Sequence, residues 1–224
     1  NCYIYVNCFE EQVADPSALA RAVSDRNTGV GSDGLILICP PSQQADRTHK
    51  TPDARMEMYN MDGSRGQMCG NAIRCVAKYV YDHGLSRSNP MRIETDAGLR
   101  TLDLTLAGGK VTHARVDMGR PRLAPEDLPV RLSPGQMIDY PMETLGRKAA
   151  SMTCVSMGNP HAVIHGVPLS ALTPGLLEEA GRKIECHELF PERTNVHFAE
   201  FPNPREIRVL VWERGSGATA ACGT

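Results

Sequence analysis

Apolar residues recur with a period of two along several short stretches of this chain, which is the pattern of half-buried β-strands. Residues 101–106 alternate strictly, the pair Gly108-Gly109 supplies a turn, and residues 110–118 return, so this region predicts a β-hairpin. Residues 35–39 are apolar throughout, which indicates a buried strand. Further strands are predicted over residues 2–7, 54–60, 152–157, 161–165, 194–200 and 206–213.

Helix signals are fewer than strand signals. Asp15 and Pro16 combine a capping side chain with a first-turn proline, which predicts that a helix starts there. One apolar face predicts a helix over residues 70–83, and Gly84 is suited to its C-terminal cap. A second long helix is predicted over residues 176–188. Many strands with one long helix per half favour an α+β fold in which each half wraps a mainly antiparallel sheet around a helix.

Composition narrows the classes of protein that this chain fits. A net charge of −2 gives no electrostatic case for binding nucleic acid or an anionic membrane surface. No apolar run approaches the roughly 20 residues of a membrane span, and no signal-peptide pattern is present, so we expect a cytoplasmic protein with reduced cysteines. The chain lacks a C-x-x-C pair and its seven histidines are scattered, so we expect no metal site.

A glycine-rich segment, Gly29-Val-Gly-Ser-Asp-Gly34, matches the spacing of the dinucleotide-binding fingerprint. That fingerprint requires a strand before it and a helix after it. Here a predicted helix precedes the segment and a predicted strand follows it. We therefore interpret these glycines as a turn in which two backbones approach closely, with no nucleotide cofactor.

Two segments of the chain repeat one another. In each, a polar residue precedes a Cys-Gly pair by nine positions: Asn60 before Cys69, and Glu213 before Cys222. Asn1 stands 68 residues before the first cysteine, and Asn159 stands 63 residues before the second. Spacings kept within a few residues favour two homologous halves, 1–114 and 115–224.

The first repeated cysteine precedes a predicted helix. The N–H groups and the positive dipole end of a helix stabilise an anion, so Cys69 is expected to ionise readily and a carboxylate is expected to bind beside it. Two such thiols facing one another are what a racemase or epimerase needs. The remaining cysteines are expected to be small buried hydrophobic residues. They are Cys2, Cys8, Cys39, Cys75, Cys154 and Cys186.

Several blocks of sequence strongly resemble the diaminopimelate epimerase family, and the resemblance runs in order along the whole chain. The blocks are Asn1-Cys-Tyr-Ile-Tyr-Val, Gly29-Val-Gly-Ser-Asp-Gly-Leu, Tyr59-Asn-Met-Asp-Gly-Ser, Met68-Cys-Gly-Asn-Ala-Ile-Arg-Cys, Met157-Gly-Asn-Pro-His, Glu192-Arg-Thr-Asn-Val and Glu213-Arg-Gly-Ser-Gly-Ala-Thr-Ala-Ala-Cys-Gly-Thr. The resemblance implies an isomerase of lysine and peptidoglycan biosynthesis that interconverts LL- and meso-diaminopimelate without pyridoxal. It also implies two pseudosymmetric α+β domains.

The same resemblance assigns roles to individual residues. It implies that Cys69 and Cys222 are the two acid/base groups, and that His161 and Glu213 assist them. The residues implied to hold the distal amino-acid end of the substrate are Asn1, Asn60, Asn159, Asn195 and Arg214, with Glu213 also beside the substrate. Those implied to bind the carboxylate at the reacting carbon are Gly70, Asn71, Gly223 and Thr224. No cofactor is implied, and a homodimer is compatible with it.

The chain departs from the family pattern at both ends. The usual Met-x-Gly-x-Gly start before Asn1 and the segment after Thr224 are missing, which suggests a truncated chain. Alternatives therefore stay open at this point. They are a proline- or hydroxyproline-type two-cysteine racemase of the same fold, a non-catalytic binding module, and a protein that binds metal through its Cys and His residues.

Overall fold

The computed structural model describes residues 1–42, 51–133, 135–144, 147–220 and 222. The chain divides into two compact units, Asn1–Gly119 and Arg120–Cys222, which are called unit 1 and unit 2. Both are built from a mixed sheet and a small number of helices, so the predicted α+β class is confirmed.

Unit 1 contains a seven-stranded sheet in the order β1-β2-β3-β5-β6-β7, with β4 paired to β3. Its strands are β1 Tyr3–Asn7, β2 Gly34–Cys39, β3 Ala54–Asn60, β4 Arg65–Gly66, β5 Met91–Thr95, β6 Gly98–Ala107 and β7 Lys110–Val116. Its helices are α1 Pro16–Ser24 and α2 Gly70–Asp82. The predicted hairpin is β6–β7.

The core of unit 1 explains why α2 forms where it does. The predicted apolar face of α2 is fully buried, and it packs in one core with residues of β2, β3 and β5. This face consists of Ile73, Val76, Ala77 and Val80. Gly84 follows the helix with a φ of 74°, so the predicted C-terminal cap is confirmed.

Unit 2 contains a six-stranded sheet in the order β13-β12-β11-β10-β9-β8. Its strands are β8 Tyr140–Thr144, β9 Arg147–Ser156, β10 Pro160–His165, β11 Asn195–Asn203, β12 Glu206–Glu213 and β13 Gly217–Thr219. Its helix is α3 Pro174–Glu185, and short 3-10 helices span Pro125–Asp127 and Leu169–Ala171.

Four strands of each unit repeat one arrangement, in line with the duplicated segments. In unit 1, β1 pairs in parallel with β2 across α1, and β2 pairs antiparallel with β3. In unit 2, β10 pairs in parallel with β11 across α3, and β11 pairs antiparallel with β12. A short strand then pairs antiparallel with the last of these, β4 on β3 and β13 on β12. Each repeated cysteine follows that short strand.

Several predicted bounds differ from the structure. The predicted helix 176–188 is α3, which begins earlier because Thr173 caps Leu176 and Pro174 fits the first turn, and which ends at the cap residue Cys186. Strands β4, β5, β8 and β13 were not predicted.

The glycine-rich segment is a turn, as predicted. Helix α1 precedes it and strand β2 follows it, the reverse of a dinucleotide site. A Cβ on Gly29 would lie 2.2 Å from the carbonyl oxygen of Ala22, so only glycine allows this approach of two backbones. None of the helices within the described ranges is long and apolar enough to span a membrane.

Candidate active site

Cys69 caps the N-terminus of α2. Its backbone is extended, with φ −138° and ψ 115°, and the helix begins at the following glycine. The Cys69 sulfur accepts a hydrogen bond from the backbone N–H of Ala72 at 3.4 Å. The thiol therefore lies at the positive end of the helix dipole, where the thiolate form is stabilised relative to the thiol.

Tyr3 provides a second contact to the same sulfur. Its hydroxyl oxygen lies 3.4 Å from Cys69 Sγ, although the two residues are 66 positions apart in the sequence. Strand β1 positions this side chain, because alternate residues of a strand point to the same face of the sheet. Tyr3 was not predicted as a site residue. The only available signal was its place in the block that begins at Asn1.

The predicted polar residues of unit 1 lie either at the start of α2 or at the end of a strand. Asn71, in the first turn of α2, donates from Nδ2 to Asn1 Oδ1 at 2.7 Å. Asn60 ends β3, is 5% exposed, and donates from Nδ2 to Ser64 Oγ at 3.0 Å. Gly70 is the first residue of α2. Asn1 and Asn71 are thus brought together at the start of α2, next to Gly70.

Unit 2 contains a chain of hydrogen bonds around two buried histidines. His161, the second residue of β10, is 4% exposed, and His197 of β11 is 8% exposed. His161 Nε2 lies 2.8 Å from Asn159 Oδ1, and His161 Nδ1 lies 2.8 Å from His197 Nε2. Because the Asn159 oxygen accepts, His161 donates through Nε2 and its Nδ1 accepts from His197. His197 was not predicted as a site residue.

Both imidazoles are held neutral by their surroundings. Burial, together with the neighbouring His197 and Arg214, lowers the pKa of His161 to about 3. Burial also lowers the pKa of His197 to about 4. Both rings are therefore weak bases that stay neutral at physiological pH, which is the form in which histidine ligates a metal ion.

Cys222 lies beside the two histidines. One ring nitrogen from each of His161 and His197 and the Cys222 sulfur all lie within 4.8 Å of one another. The thiol is half-buried, so it borders the two buried rings and still has an accessible side. The structure therefore places the predicted pair Cys222 and His161 together and adds His197 to it.

The other predicted residues of unit 2 lie at neighbouring strand ends. Asn195 lies beside His161 in the parallel pairing of β10 and β11. Its Oδ1 accepts from the backbone N–H of Arg214 at 3.0 Å, and its Nδ2 donates to the Pro160 carbonyl at 3.0 Å. Glu213, at the end of β12, accepts from the Thr219 hydroxyl at 2.7 Å. Gly223 and Thr224 lie outside the described residues.

The remaining cysteines do not all match the expectation of buried small residues. Cys154 is buried, and Cys8 and Cys39 are half-buried. Three others are exposed, and the expectation is wrong for them because they lie on outward positions of the chain: Cys2, Cys75 and Cys186. Cys75 lies on α2 but opposite the buried face, well past the helix terminus, so it lacks the environment of Cys69.

Two solved structures illustrate the similarity of the fold. A probable proline racemase from Agrobacterium radiobacter superposes with a TM-score of 0.63 at 17% identity, covering 92% of this chain and 61% of its own. A hydroxyproline epimerase from Agrobacterium vitis gives 0.61 at 16% identity, covering 91% and 60%. At such identities the likeness establishes the shared fold.

Comparison of sequences identifies the family of this chain. The family model for diaminopimelate epimerase matches residues 1–124 and 153–224, which include both repeated cysteines. Diaminopimelate epimerase from Acetivibrio thermocellus is 50% identical over 224 residues, covering all of this chain and 76% of that protein. The Agathobacter rectalis enzyme is 47% identical over 231 residues, covering 100% and 77%. This chain belongs to the diaminopimelate epimerase family.

Proposed function

We propose that this chain interconverts LL- and meso-diaminopimelate by a two-base reaction in which Cys69 and Cys222 are the acid/base groups. Its family makes it an isomerase of amino-acid biosynthesis acting on a small molecule, in the route to lysine. The observation that carries the residue assignment is that each unit supplies one cysteine in an environment suited to proton transfer.

The two cysteines are prepared for proton transfer by different groups. At Cys69 the α2 amide and the helix dipole favour the thiolate. At Cys222 the neighbouring imidazoles of His161 and His197 are neutral, and a neutral imidazole stabilises a thiolate less than an imidazolium does, so we assign Cys222 the thiol form. In the forward reaction one cysteine, as thiolate, removes the α-proton, and the other, as thiol, gives a proton to the opposite face of the same carbon.

The intermediate of this reaction carries negative charge that spreads onto the α-carboxylate. We assign its stabilisation to the backbone N–H groups of Gly70 and Asn71 at the start of α2, with Gly223 and Thr224 as the counterparts after Cys222. Preorganised amides of this kind stabilise charge without a cofactor, so the proposal includes neither pyridoxal nor a metal in the reaction itself.

The distal amino-acid end of the substrate is assigned to the amide and guanidinium side chains at the strand ends. These are Asn1, Asn60, Asn159, Asn195 and Arg214. A second amino-acid group carries both a carboxylate and an ammonium, which guanidinium and side-chain amides bind through complementary hydrogen bonds. Glu213 is assigned to the same site as an acceptor that also helps to set the protonation of the cysteines.

The proposal also covers the compartment, the partners and the assembly of the enzyme. Because the reaction needs reduced thiols, we propose that the protein works in the reducing cytoplasm, without a nucleic-acid or membrane partner. A homodimer is included as the assembly to test, by sedimentation or light scattering of the purified protein.

The experiment that tests this function follows the α-hydrogen. The protein is incubated with LL-diaminopimelate in D₂O, and deuterium at the α-carbon is measured alongside the formation of the meso isomer. We expect exchange together with inversion. Deuterium exchange and inversion with L-proline or hydroxyproline instead of diaminopimelate would favour the racemase reading, which rests on the shared fold alone.

A folded protein that neither exchanges nor inverts any of these substrates in the presence of a thiol reductant would contradict the proposed function. Circular dichroism and the fluorescence of the single tryptophan, which is Trp212 of unit 2, report whether the protein is folded.

A further inference from the structure

We propose that His161, His197 and Cys222 form a binding site for a zinc-type divalent cation, and that occupancy of this site withholds Cys222 from the reaction. The binding part of this inference stands by itself. The inhibitory part rests on the proposed role of Cys222 in epimerisation. Within the described ranges, this is the one set of three His, Cys, Asp or Glu residues whose candidate ligand atoms cluster in this way.

The donor set is one that zinc prefers. Two imidazole nitrogens and one thiolate are borderline-soft ligands, which bind Zn²⁺ and Cd²⁺ well and Mg²⁺ or Ca²⁺ poorly. Three protein ligands leave one position of a tetrahedral ion to water. Such an open site keeps one position for water or another exogenous ligand, in contrast to a closed four-ligand structural site.

The distances are close to those that a metal ion requires. Bond lengths of about 2.0–2.1 Å to nitrogen and 2.3 Å to sulfur separate tetrahedral ligands by about 3.3 Å for N···N and 3.6 Å for N···S. His161 Nδ1 and His197 Nε2 are 2.8 Å apart. One ring nitrogen of each histidine and the Cys222 sulfur all lie within 4.8 Å of one another. An ion between the rings would thus separate these two nitrogens by about 0.5 Å more than their present distance.

The second layer of contacts also suits a ligating histidine. His161 donates from Nε2 to Asn159 Oδ1, which leaves its Nδ1 lone pair directed at the cluster. A metal-bound histidine usually donates its other N–H to an oxygen in this way. For His197 to ligate, its proton moves from Nε2 to Nδ1, and the ion then replaces the hydrogen bond that joins the two rings. The Cys222 thiol loses its proton to solvent.

The test measures metal binding directly. Reduced, metal-free protein is titrated with Zn²⁺ in competition with a chromophoric chelator, and Cd²⁺ is followed by its thiolate charge-transfer absorption. We expect one ion per chain at this site. His197→Gln keeps a hydrogen-bond donor beside His161 but removes the ligand, so we expect a loss of affinity of at least about 100-fold, since losing an outer partner alone costs 10–100-fold. Cys222→Ser should also abolish the Cd²⁺ absorption.

Two matched controls separate this site from other thiols and imidazoles. Cys8 hydrogen-bonds Cys39, so this pair is a competing place for a soft ion, and Cys39→Ser should leave the affinity unchanged. His165→Gln changes another β10 histidine that contacts Ser151 and Asp139, and it should also leave the affinity unchanged. Mg²⁺ should not compete at millimolar concentration.

Equal affinity in the wild type, His197→Gln and Cys222→Ser would overturn the proposed site. Loss of binding in Cys39→Ser would overturn it too, because the ion would then belong to the other thiol pair. Binding is measured without substrate, so these outcomes do not depend on the proposed function. If the protein is active in the D₂O assay, Zn²⁺ should inhibit it and a chelator should restore the rate.

Discussion

Units 1 and 2 share one arrangement of four strands but surround their cysteines with different chemistry. Cys69 contacts a helix N–H and a tyrosine hydroxyl, each at 3.4 Å. Cys222 lies within 4.8 Å of two buried, neutral imidazoles. The first environment stabilises a negative sulfur with fixed dipoles, whereas the neutral imidazoles of the second stabilise a thiolate less and so favour the thiol.

In this duplicated fold, the two cysteines keep the same position in the repeat, but the groups that contact their sulfur atoms differ. Both cysteines follow the short strand that pairs with the third strand of the repeat, β4 in unit 1 and β13 in unit 2. What lies beside each sulfur depends on the first strand of the repeat, which carries Tyr3 in unit 1 and His161 in unit 2. A two-base reaction gains from the asymmetry, because it needs one thiolate and one thiol at the same time.

The largest effect is expected from removing either sulfur. Cys69→Ala and Cys222→Ala should each slow the conversion of LL- to meso-diaminopimelate by about 10²–10⁴-fold or more, the usual worth of a positioned acid/base group. Cys75→Ala is the matched control, because Cys75 is an exposed residue of the same helix α2. A Cys69→Ala variant that keeps its rate would rule out the two-base assignment.

A second prediction separates the units by their packing. A Cβ on Gly181 of α3 would lie 2.5 Å from Trp212 Cγ, and Trp212 is held by its own hydrogen bond to Glu185 at 2.7 Å. In unit 1, the helix residue that packs against a strand aromatic residue is already an alanine. Ala20 and Tyr59 lie in one core there. Gly181→Ala should therefore destabilise unit 2 by about 1–3 kcal/mol.

Urea unfolding followed by tryptophan fluorescence measures this change in unit 2. Gly175→Ala serves as the control in the same helix, because a Cβ there meets no atom within 4 Å. Replacing that glycine should be neutral or stabilise the helix by up to about 1 kcal/mol. A Gly181→Ala protein as stable as the wild type would mean that Trp212 moves aside without strain.

The sequence predicted the environment of Cys69 well because the signals are local. The helix start, its apolar face and its C-terminal glycine all lie within residues 69–84, and the structure confirms each of them. Strand β5 was missed although Met91, Ile93 and Thr95 alternate as buried residues, because the run is only five residues long and follows a proline.

The environment of Cys222 was harder to predict because it depends on contacts far apart in the sequence. His161 and His197 are 36 positions apart and meet through a parallel strand pairing that crosses α3. The alternating pattern of β11 does not indicate whether His197 contacts another imidazole or simply fills the core. The same holds for Tyr3, 66 positions from Cys69. Long-range pairing therefore decided which polar residues join each site.

A third prediction uses acid to separate the units. Burial keeps His161 and His197 neutral in the fold, with pKa values of about 3 and about 4 against the ordinary 6.5, whereas the described histidines of unit 1, His83 and His113, are exposed. Below pH 6.5 the unfolded chain therefore binds protons that the folded unit 2 does not, so stability falls as the pH drops toward those values. Each imidazole contributes up to about 1.4 kcal/mol per pH unit.

Hydrogen exchange read by mass spectrometry, corrected for the intrinsic rate, measures this difference. Protection of β10 and β11 should be lost at a higher pH than protection of β2 and β3. His197→Gln removes one of the two titrating rings and should roughly halve the slope for unit 2. Simultaneous loss of protection in both units, with a slope unchanged in His197→Gln, would contradict the buried-imidazole explanation.

The smallest effect is expected at Tyr3. Its hydroxyl contacts the Cys69 sulfur from strand β1, in addition to the α2 amide. A hydrogen bond to a charged acceptor contributes about 1.5–3 kcal/mol, and a long contact to sulfur falls at or below the lower end. Tyr3→Phe should thus raise the pKa of the Cys69 thiol and slow its alkylation at neutral pH by about 3–10-fold, while Cys222 alkylation stays unchanged.

Mass spectrometry identifies the alkylated cysteine, which is necessary in a chain with eight of them. Tyr79→Phe is the control, because Tyr79 lies toward the C-terminal end of α2 and stacks on His83, with ring centroids 4.0 Å apart. If Cys69 reacts equally fast with and without the Tyr3 hydroxyl, the helix terminus alone sets its reactivity. The contrast between the units would then reduce to a dipole at one cysteine and imidazoles at the other.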